Sequence, residues 1–167
     1  LDMGGNENTQ IWIAHIQSPS ASPKNVTPWS GTANFISSTR LDGDEILIFS
    51  NRRDRRVFDA YRLSLSGDLT PVLHERNPGN VDRTYFDRKA RLVARSLRPG
   101  ADGKRAFEFC PGAAATCARV FDMEWDEQIH VPDIAAGELE VWALSNRGRD
   151  RQAVVRLNLK TGVETVM

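Results

Sequence analysis

Short segments in which apolar and polar residues alternate recur along the chain, most clearly at 59–65 and 153–159. This period of two is that of a β-strand with one buried face, and the same segments are rich in β-branched and aromatic residues. The pattern predicts strands at 11–16, 45–49, 59–65, 90–97, 105–109, 138–144 and 153–159. Turn sequences such as SGD, NPGN and RPGADGK separate them, and no segment shows a convincing helical period. The predicted fold is therefore all-β.

The strand pattern repeats. Trp12, Tyr61, Phe107 and Val155 occupy equivalent places in their strands, at spacings of 49, 46 and 48 residues. A four-stranded propeller blade has a repeat of about 40–50 residues. The sequence therefore predicts a partial β-propeller of about three and a half four-stranded antiparallel blades: the last two strands of one blade at 10–27, then blades at 33–75, 81–124 and 128–167. Because closed propellers have about four to eight blades, we expect residues 1–167 to be a single propeller segment that either continues in a longer chain or pairs with a copy of itself.

Two nearly identical phrases lie 95 residues apart within this repeat. Residues 50–55 read SNRRDR and residues 145–151 read SNRGRDR, each between two predicted strands. The repeat predicts that they form the same turn in blades two positions apart.

Charge and hydropathy exclude some classes of partner. Lysine plus arginine (22) balances aspartate plus glutamate (22), and the basic residues are interleaved with acidic ones. Such a chain has no net field that would favour nucleic acid or an anionic membrane. The apolar runs are too short to span a bilayer.

The two cysteines leave an alternative open. Cys110 and Cys117 are separated by six residues with no further ligands nearby, which does not match a zinc site. They form either a short-loop disulfide, which would indicate an oxidising compartment, or two free thiols. We predict no metal and no cofactor, and leave the compartment open between extracytoplasmic and cytoplasmic, favouring the former if the cysteines are bonded.

Three segments resemble the propeller domain of prolyl-oligopeptidase-family serine peptidases, which include bacterial dipeptidyl aminopeptidase and acylaminoacyl-peptidase relatives. They are GGNENTQIWIAHIQSPSASPKNVTPWSG, DEILIFSNRRDRRVFDAYRLSLSGDLTPVLHERNPGNV and VWALSNRGRDRQAVVRLNLKTGVETVM. The resemblance implies a non-catalytic domain that gates and shapes the access of peptide substrates to a separate, C-terminal α/β-hydrolase domain of the same parent chain. The Glu-Glu pair with which the dipeptidyl-peptidase branch holds a substrate's N-terminus has no match here.

Catalysis by the chain itself is not predicted. The G-x-S-x-G elbow of α/β-hydrolases does not occur between Leu1 and Met167, and His15, His74 and His130 have no recognisable catalytic context. An alternative hypothesis is a propeller that binds or scaffolds other proteins with no associated hydrolase. An incomplete ring would also be prone to self-association through open blade edges.

The twin turns support two interpretations. In the functional one, arginines line a propeller face and grip a peptide carboxylate bidentately; the candidates are Arg52, Arg53, Arg55, Arg147, Arg149 and Arg151. In the structural one, Asp54 and Asp150 accept backbone hydrogen bonds that hold each turn, and the arginines pair with nearby carboxylates. Recurrence in two blades favours the structural interpretation. We further expect Trp12 and Trp142 to pack between blades, with Trp29 and Trp125 in connecting segments.

Overall fold

The computed structural model describes residues 8–16, 20–37, 41–112 and 116–167. All regular elements among them are strands, which confirms the predicted all-β class. In chain order, β1 to β14 are Trp12–Ile13, Lys24–Asn25, Asn34–Ile36, Glu45–Ser50, Asp59–Ser64, Val72–Glu75, Val81–Phe86, Leu92–Leu97, Arg105–Phe109, Ala118–Met123, Ile129–His130, Glu140–Ser145, Ala153–Asn158 and Glu164–Val166. Within these ranges, no helix is long and apolar enough to cross a bilayer.

Twelve of the strands form three antiparallel sheets of four. Their orders are β3-β4-β5-β6, β7-β8-β9-β10 and β11-β12-β13-β14, so strands adjacent in sequence are also neighbours in each sheet. A separate two-stranded sheet pairs β1 with β2. The predicted four-stranded antiparallel sheets are therefore present.

The chain divides into two compact units. The first contains residues 1–37 and 42–79, and its core lies between the β1–β2 sheet and the β3–β6 sheet. Ile48 and Tyr61 are directly opposite each other on β4 and β5, and both are buried against Ile11 and Val26. A period of two in β4 and β5 thus places one apolar face on the preceding sheet.

The second unit contains residues 38–41 and 80–167. Its core lies between the β7–β10 and β11–β14 sheets, where Phe107 and Val155 are completely buried. The Tyr85 hydroxyl donates a hydrogen bond to the Ile129 carbonyl (3.1 Å), and Phe107 stacks on Phe121 at 4.9 Å between ring centroids. Aromatic rings of one sheet therefore meet aliphatic side chains of the next.

The β11–β14 sheet has a second, exposed apolar face. Along β12, Val141, Ala143 and Ser145 are buried, whereas Trp142 and Leu144 point the other way and are exposed. Val154 lies opposite Leu144 on β13 and is exposed too. We call Trp142, Leu144 and Val154 the Trp142 face.

The structure decides two points of the sequence analysis, the length of the first strand and the state of the cysteines. The strand predicted at 11–16 is limited to Trp12–Ile13, because the Ile11 N–H bonds to the Thr27 hydroxyl (2.8 Å) and only two residues pair with β2. Cys110 and Cys117, between β9 and β10, are joined by a disulfide. The open alternative of two free thiols is therefore excluded in this structure.

Candidate functional site

The first of the twin turns connects β4 to β5. The Ser50 hydroxyl accepts a hydrogen bond from the Arg52 N–H (3.2 Å). The Asn51 side-chain oxygen accepts one from the Ala33 N–H (2.8 Å), and the Asn51 N–H donates to the Ala33 carbonyl (3.3 Å). Since Ala33 directly precedes β3, Asn51 ties the turn to the start of its own sheet.

The second turn, between β12 and β13, reproduces these contacts. The Ser145 hydroxyl accepts from the Arg147 N–H (3.1 Å). The Asn146 side-chain oxygen accepts from the Gln128 N–H (2.6 Å), and the Asn146 N–H donates to the Gln128 carbonyl (3.3 Å). Gln128 directly precedes β11, so both turns bind the same point of their sheets. We call this arrangement the Ser-Asn-Arg clamp.

The first arginine of each clamp lies over an aromatic ring. The Arg52 guanidinium is 4.5 Å from the centroid of Trp29, in the connector that follows β2. The Arg147 guanidinium is 4.0 Å from the centroid of Phe121 on β10. Each of these cation–π contacts joins a sheet to the aromatic side chain that precedes it in the chain.

The next arginine of each turn, Arg53 or Arg149, binds a buried carboxylate. Arg53 donates two hydrogen bonds to Asp59 (2.7 and 2.8 Å), which also accepts from the Asn77 N–H (2.8 Å). Arg149 donates to Glu164 (2.6 Å). The carboxylates come from different strands, β5 and β14, so the two sheets neutralise this arginine by different routes.

The aspartates of the two turns differ. Asp54 accepts hydrogen bonds from the Arg56 backbone N–H (3.0 Å) and guanidinium (3.0 and 2.8 Å), and these bonds hold the pKa of Asp54 far below its usual range. Asp150 makes no hydrogen bond with the described residues. Its turn is closed instead by the Arg149 N–H, which donates to the Asn146 carbonyl (2.9 Å). The turn-holding contact expected of both aspartates is therefore observed for Asp54 and not for Asp150.

The last arginine of each phrase has an unpaired guanidinium. Neither Arg55 nor Arg151 forms a side-chain hydrogen bond or ion pair with any residue that the structure describes. The Arg55 guanidinium lies close to Gly31: a Cβ at that position would be 2.5 Å from the Arg55 Nη2. Gly31 also has a φ of +66°, in the left-handed region that favours glycine.

Beside Gly31 lies a cleft of about 340 Å³. It is lined by two indole rings, several carboxamides and small residues of the connector: Asn8, Gln10, Trp12, Asn25, Pro28, Trp29, Ser30 and Gly31. Gln10 donates to the Trp29 carbonyl (2.9 Å) and accepts from Asn25 (2.9 Å), which fixes both carboxamides. No motif in the sequence indicated this cleft, since its residues come from β1 and the segment before it, from β2, and from the connector after β2.

Two of the four tryptophans are placed differently from expectation. Trp12 and Trp142 were expected to pack between blades, but 44% and 51% of their surfaces are exposed, because each points away from the buried face of its strand. Trp29 is half-buried and packs against Tyr61 at 5.2 Å between centroids. Trp125 is 79% exposed.

The described part of the chain contains no cluster of side chains suited to bind a metal ion. No three His, Cys, Asp or Glu side chains there are grouped so as to hold a metal ion. His74 lies on β6 and His130 on β11, while His15 follows β1. No protein-family model, curated protein or solved structure matches the chain.

Proposed function

We propose that the four sheets are successive blades of a β-propeller whose role is non-catalytic. The observation that carries this proposal is the repetition of the Ser-Asn-Arg clamp, with equivalent hydrogen bonds at Ala33 and Gln128 and an arginine over an aromatic ring in each copy. A feature repeated in two sheets supports a scaffold role, since a catalytic constellation is ordinarily built once. The sheet-to-sheet packing within each unit is of the kind that blades make.

The biochemical role that we propose follows the resemblance to prolyl-oligopeptidase-family propellers. The chain gates and shapes the access of peptides to an α/β-hydrolase domain elsewhere in the same parent protein. The absence of a G-x-S-x-G elbow from residues 1–167 supports a division of labour between this chain and a separate catalytic domain. The disulfide supports an extracytoplasmic location, because disulfides persist in oxidising compartments.

A second candidate function is a propeller that binds or scaffolds other proteins with no hydrolase attached. The exposed Trp142 face favours it, since contiguous apolar surface often marks a protein–protein contact. Self-association of the isolated chain is expected instead through its open blade edges. The two candidates differ in one respect that can be measured: only the first requires a reactive serine in the parent protein.

The deciding experiment is labelling with a fluorophosphonate probe, which reacts with activated serines. We expect the complete native gene product to be labelled at a serine outside residues 1–167, and the purified 167-residue chain to remain unlabelled. Heat-denatured full-length protein is the control for nonspecific reaction. A folded, full-length protein without any labelled serine would overturn the peptidase role and favour the scaffold, and labelling within 1–167 would overturn the non-catalytic assignment.

A further inference from the structure

The cleft beside Gly31, lined by Trp12 and Trp29, is called the Trp12–Trp29 cleft. Of the six arginines of the twin turns, Arg55 and Arg52 lie beside it and are positioned to meet a ligand. Arg53 and Arg149 are bound to buried carboxylates, and Arg147 contacts both Glu164 and Phe121. Arg55 makes no polar side-chain contact with the described residues and rests on Gly31, which itself lines the cleft. The rim of the cleft therefore carries a positive charge whose N–H donors face no acceptor among the described residues.

The planar guanidinium of Arg55 favours one class of ligand. A single guanidinium presents two parallel N–H donors, which match a carboxylate bidentately. Arg52 adds positive potential nearby, although its face is stacked on Trp29. The two indole rings give no benefit to a bare inorganic anion, but they favour an apolar or aromatic group attached to the carboxylate.

The size of the cleft limits the ligand further. A volume of about 340 Å³ lies near the lower end of the roughly 300–1,000 Å³ that is common for small-molecule sites. It suits one or two amino-acid residues.

We propose that this cleft binds the C-terminal residue of a short peptide, with the terminal carboxylate on Arg55 and an apolar side chain against Trp12. The assignment rests on the proposed role in admitting peptides. The cleft would hold the C-terminal end of such a peptide and would require its carboxylate to be free. A small carboxylic acid with an aromatic body presents the same chemistry, so the test includes one.

The test uses the 167-residue chain and the indole N–H signals of its four tryptophans in a ¹H–¹⁵N correlation spectrum. Three probes are titrated: N-acetyl-Ala-Phe with a free carboxylate, the same peptide as a carboxamide, and 3-phenylpropionate. Signals are assigned with tryptophan-to-phenylalanine variants. We expect the free-acid peptide to shift Trp12 and Trp29 but not Trp125 and Trp142, and to bind at least tenfold more tightly than the carboxamide.

Matched variants test the role of Arg55. Arg55→Gln is expected to weaken the free-acid peptide at least tenfold and to remove the difference between acid and amide. Arg151→Gln, the equivalent position of the other turn, is expected to leave both affinities unchanged.

Equal binding of acid and amide, shifts confined to Trp125 and Trp142, or no shift at millimolar peptide would each overturn the proposal. So would an unchanged affinity in Arg55→Gln. If phenylpropionate binds as tightly as the peptide, the peptide assignment fails and the cleft is a site for small acids. Because no serine is involved, failure here is distinct from a negative fluorophosphonate result on the parent protein.

Discussion

Glu164 provides the strongest test of the second clamp. Only 5% of its side chain is exposed, and its carboxylate accepts hydrogen bonds from the Ser145 hydroxyl (2.9 Å) and Arg149 (2.6 Å) and pairs with Arg147 (3.2 Å). Glu164→Ala removes all of these acceptors and leaves two guanidinium groups that are 22% and 29% exposed. Breaking a fully buried pair costs about 3–5 kcal/mol.

Because water reaches part of both guanidinium groups, we expect Glu164→Ala to lower the free energy of unfolding by about 3 kcal/mol, at the low end of the buried-pair range. For a chain of this size that corresponds to a fall in Tm of about 6–12 °C. The assay is urea unfolding followed by far-ultraviolet circular dichroism, with a thermal scan in parallel. Glu164→Gln keeps the shape of the side chain and part of its hydrogen bonding, so its cost should be smaller.

Glu140→Ala is the matched control. Glu140 belongs to the same sheet and pairs with Arg156 at 3.1 Å, but both side chains are more than half exposed. An exposed ion pair contributes about 0–1 kcal/mol, so this variant should unfold almost like the parent chain. If Glu164→Ala costs no more than Glu140→Ala, the argument from a buried acceptor is wrong.

Three further predictions concern other contacts. Asn51→Ala should cost about 1–3 kcal/mol in urea unfolding, because it leaves the partly buried Ala33 N–H without an acceptor. Asn146→Ala should cost about 0.5–1.5 kcal/mol, because water can replace the acceptor of the exposed Gln128 N–H; a neutral effect of Asn51→Ala would contradict a structural role of the clamp. Burial opposes ionisation of Asp87, but bonds from the Arg91 side chain and from backbone N–H groups outweigh it and lower the pKa of Asp87. Its contribution to stability is therefore present above about pH 4 and is lost as the pH falls through the lowered pKa; Asp87→Asn should be less stable than the parent at pH 7, with a smaller difference at pH 3. The Cys110–Cys117 disulfide closes a short loop in the unfolded chain, so its reduction should lower the free energy of unfolding by about 2–3 kcal/mol. The measurement is unfolding with and without reductant, and a Cys110→Ser, Cys117→Ser variant should not respond to reductant.

Much of the fold follows from local patterns in the sequence. Each segment predicted to be a full blade contains one four-stranded sheet, because the period of two and the glycine turns are properties of neighbouring residues. The segment 10–27 contains the β1–β2 sheet. The twin phrases pointed to equivalent turns, and the contacts of Asn51 and Asn146 are equivalent in geometry.

The parts that sequence could not supply depend on contacts between distant residues. Nothing near Arg52 in the chain indicates Trp29, and nothing near Arg149 indicates Glu164 on the last strand. The exposure of Trp12 and Trp142 was mispredicted because an aromatic residue in a strand has two possible faces, and composition does not say which one is covered. The pairing of Cys110 with Cys117 was likewise open until the hairpin geometry was known.

The Ser-Asn-Arg clamp has a consequence for how such a chain can lengthen. Its asparagine binds the first strand of its own sheet, and its arginine needs only an aromatic ring in the segment before it. A gene segment that encodes one sheet with its turn carries the asparagine contact and the arginine, whereas the aromatic ring comes from the segment before it. An in-frame duplicate would therefore bring its own closed turn, and an aromatic side chain at the end of the preceding sheet would be the one addition needed to join the two.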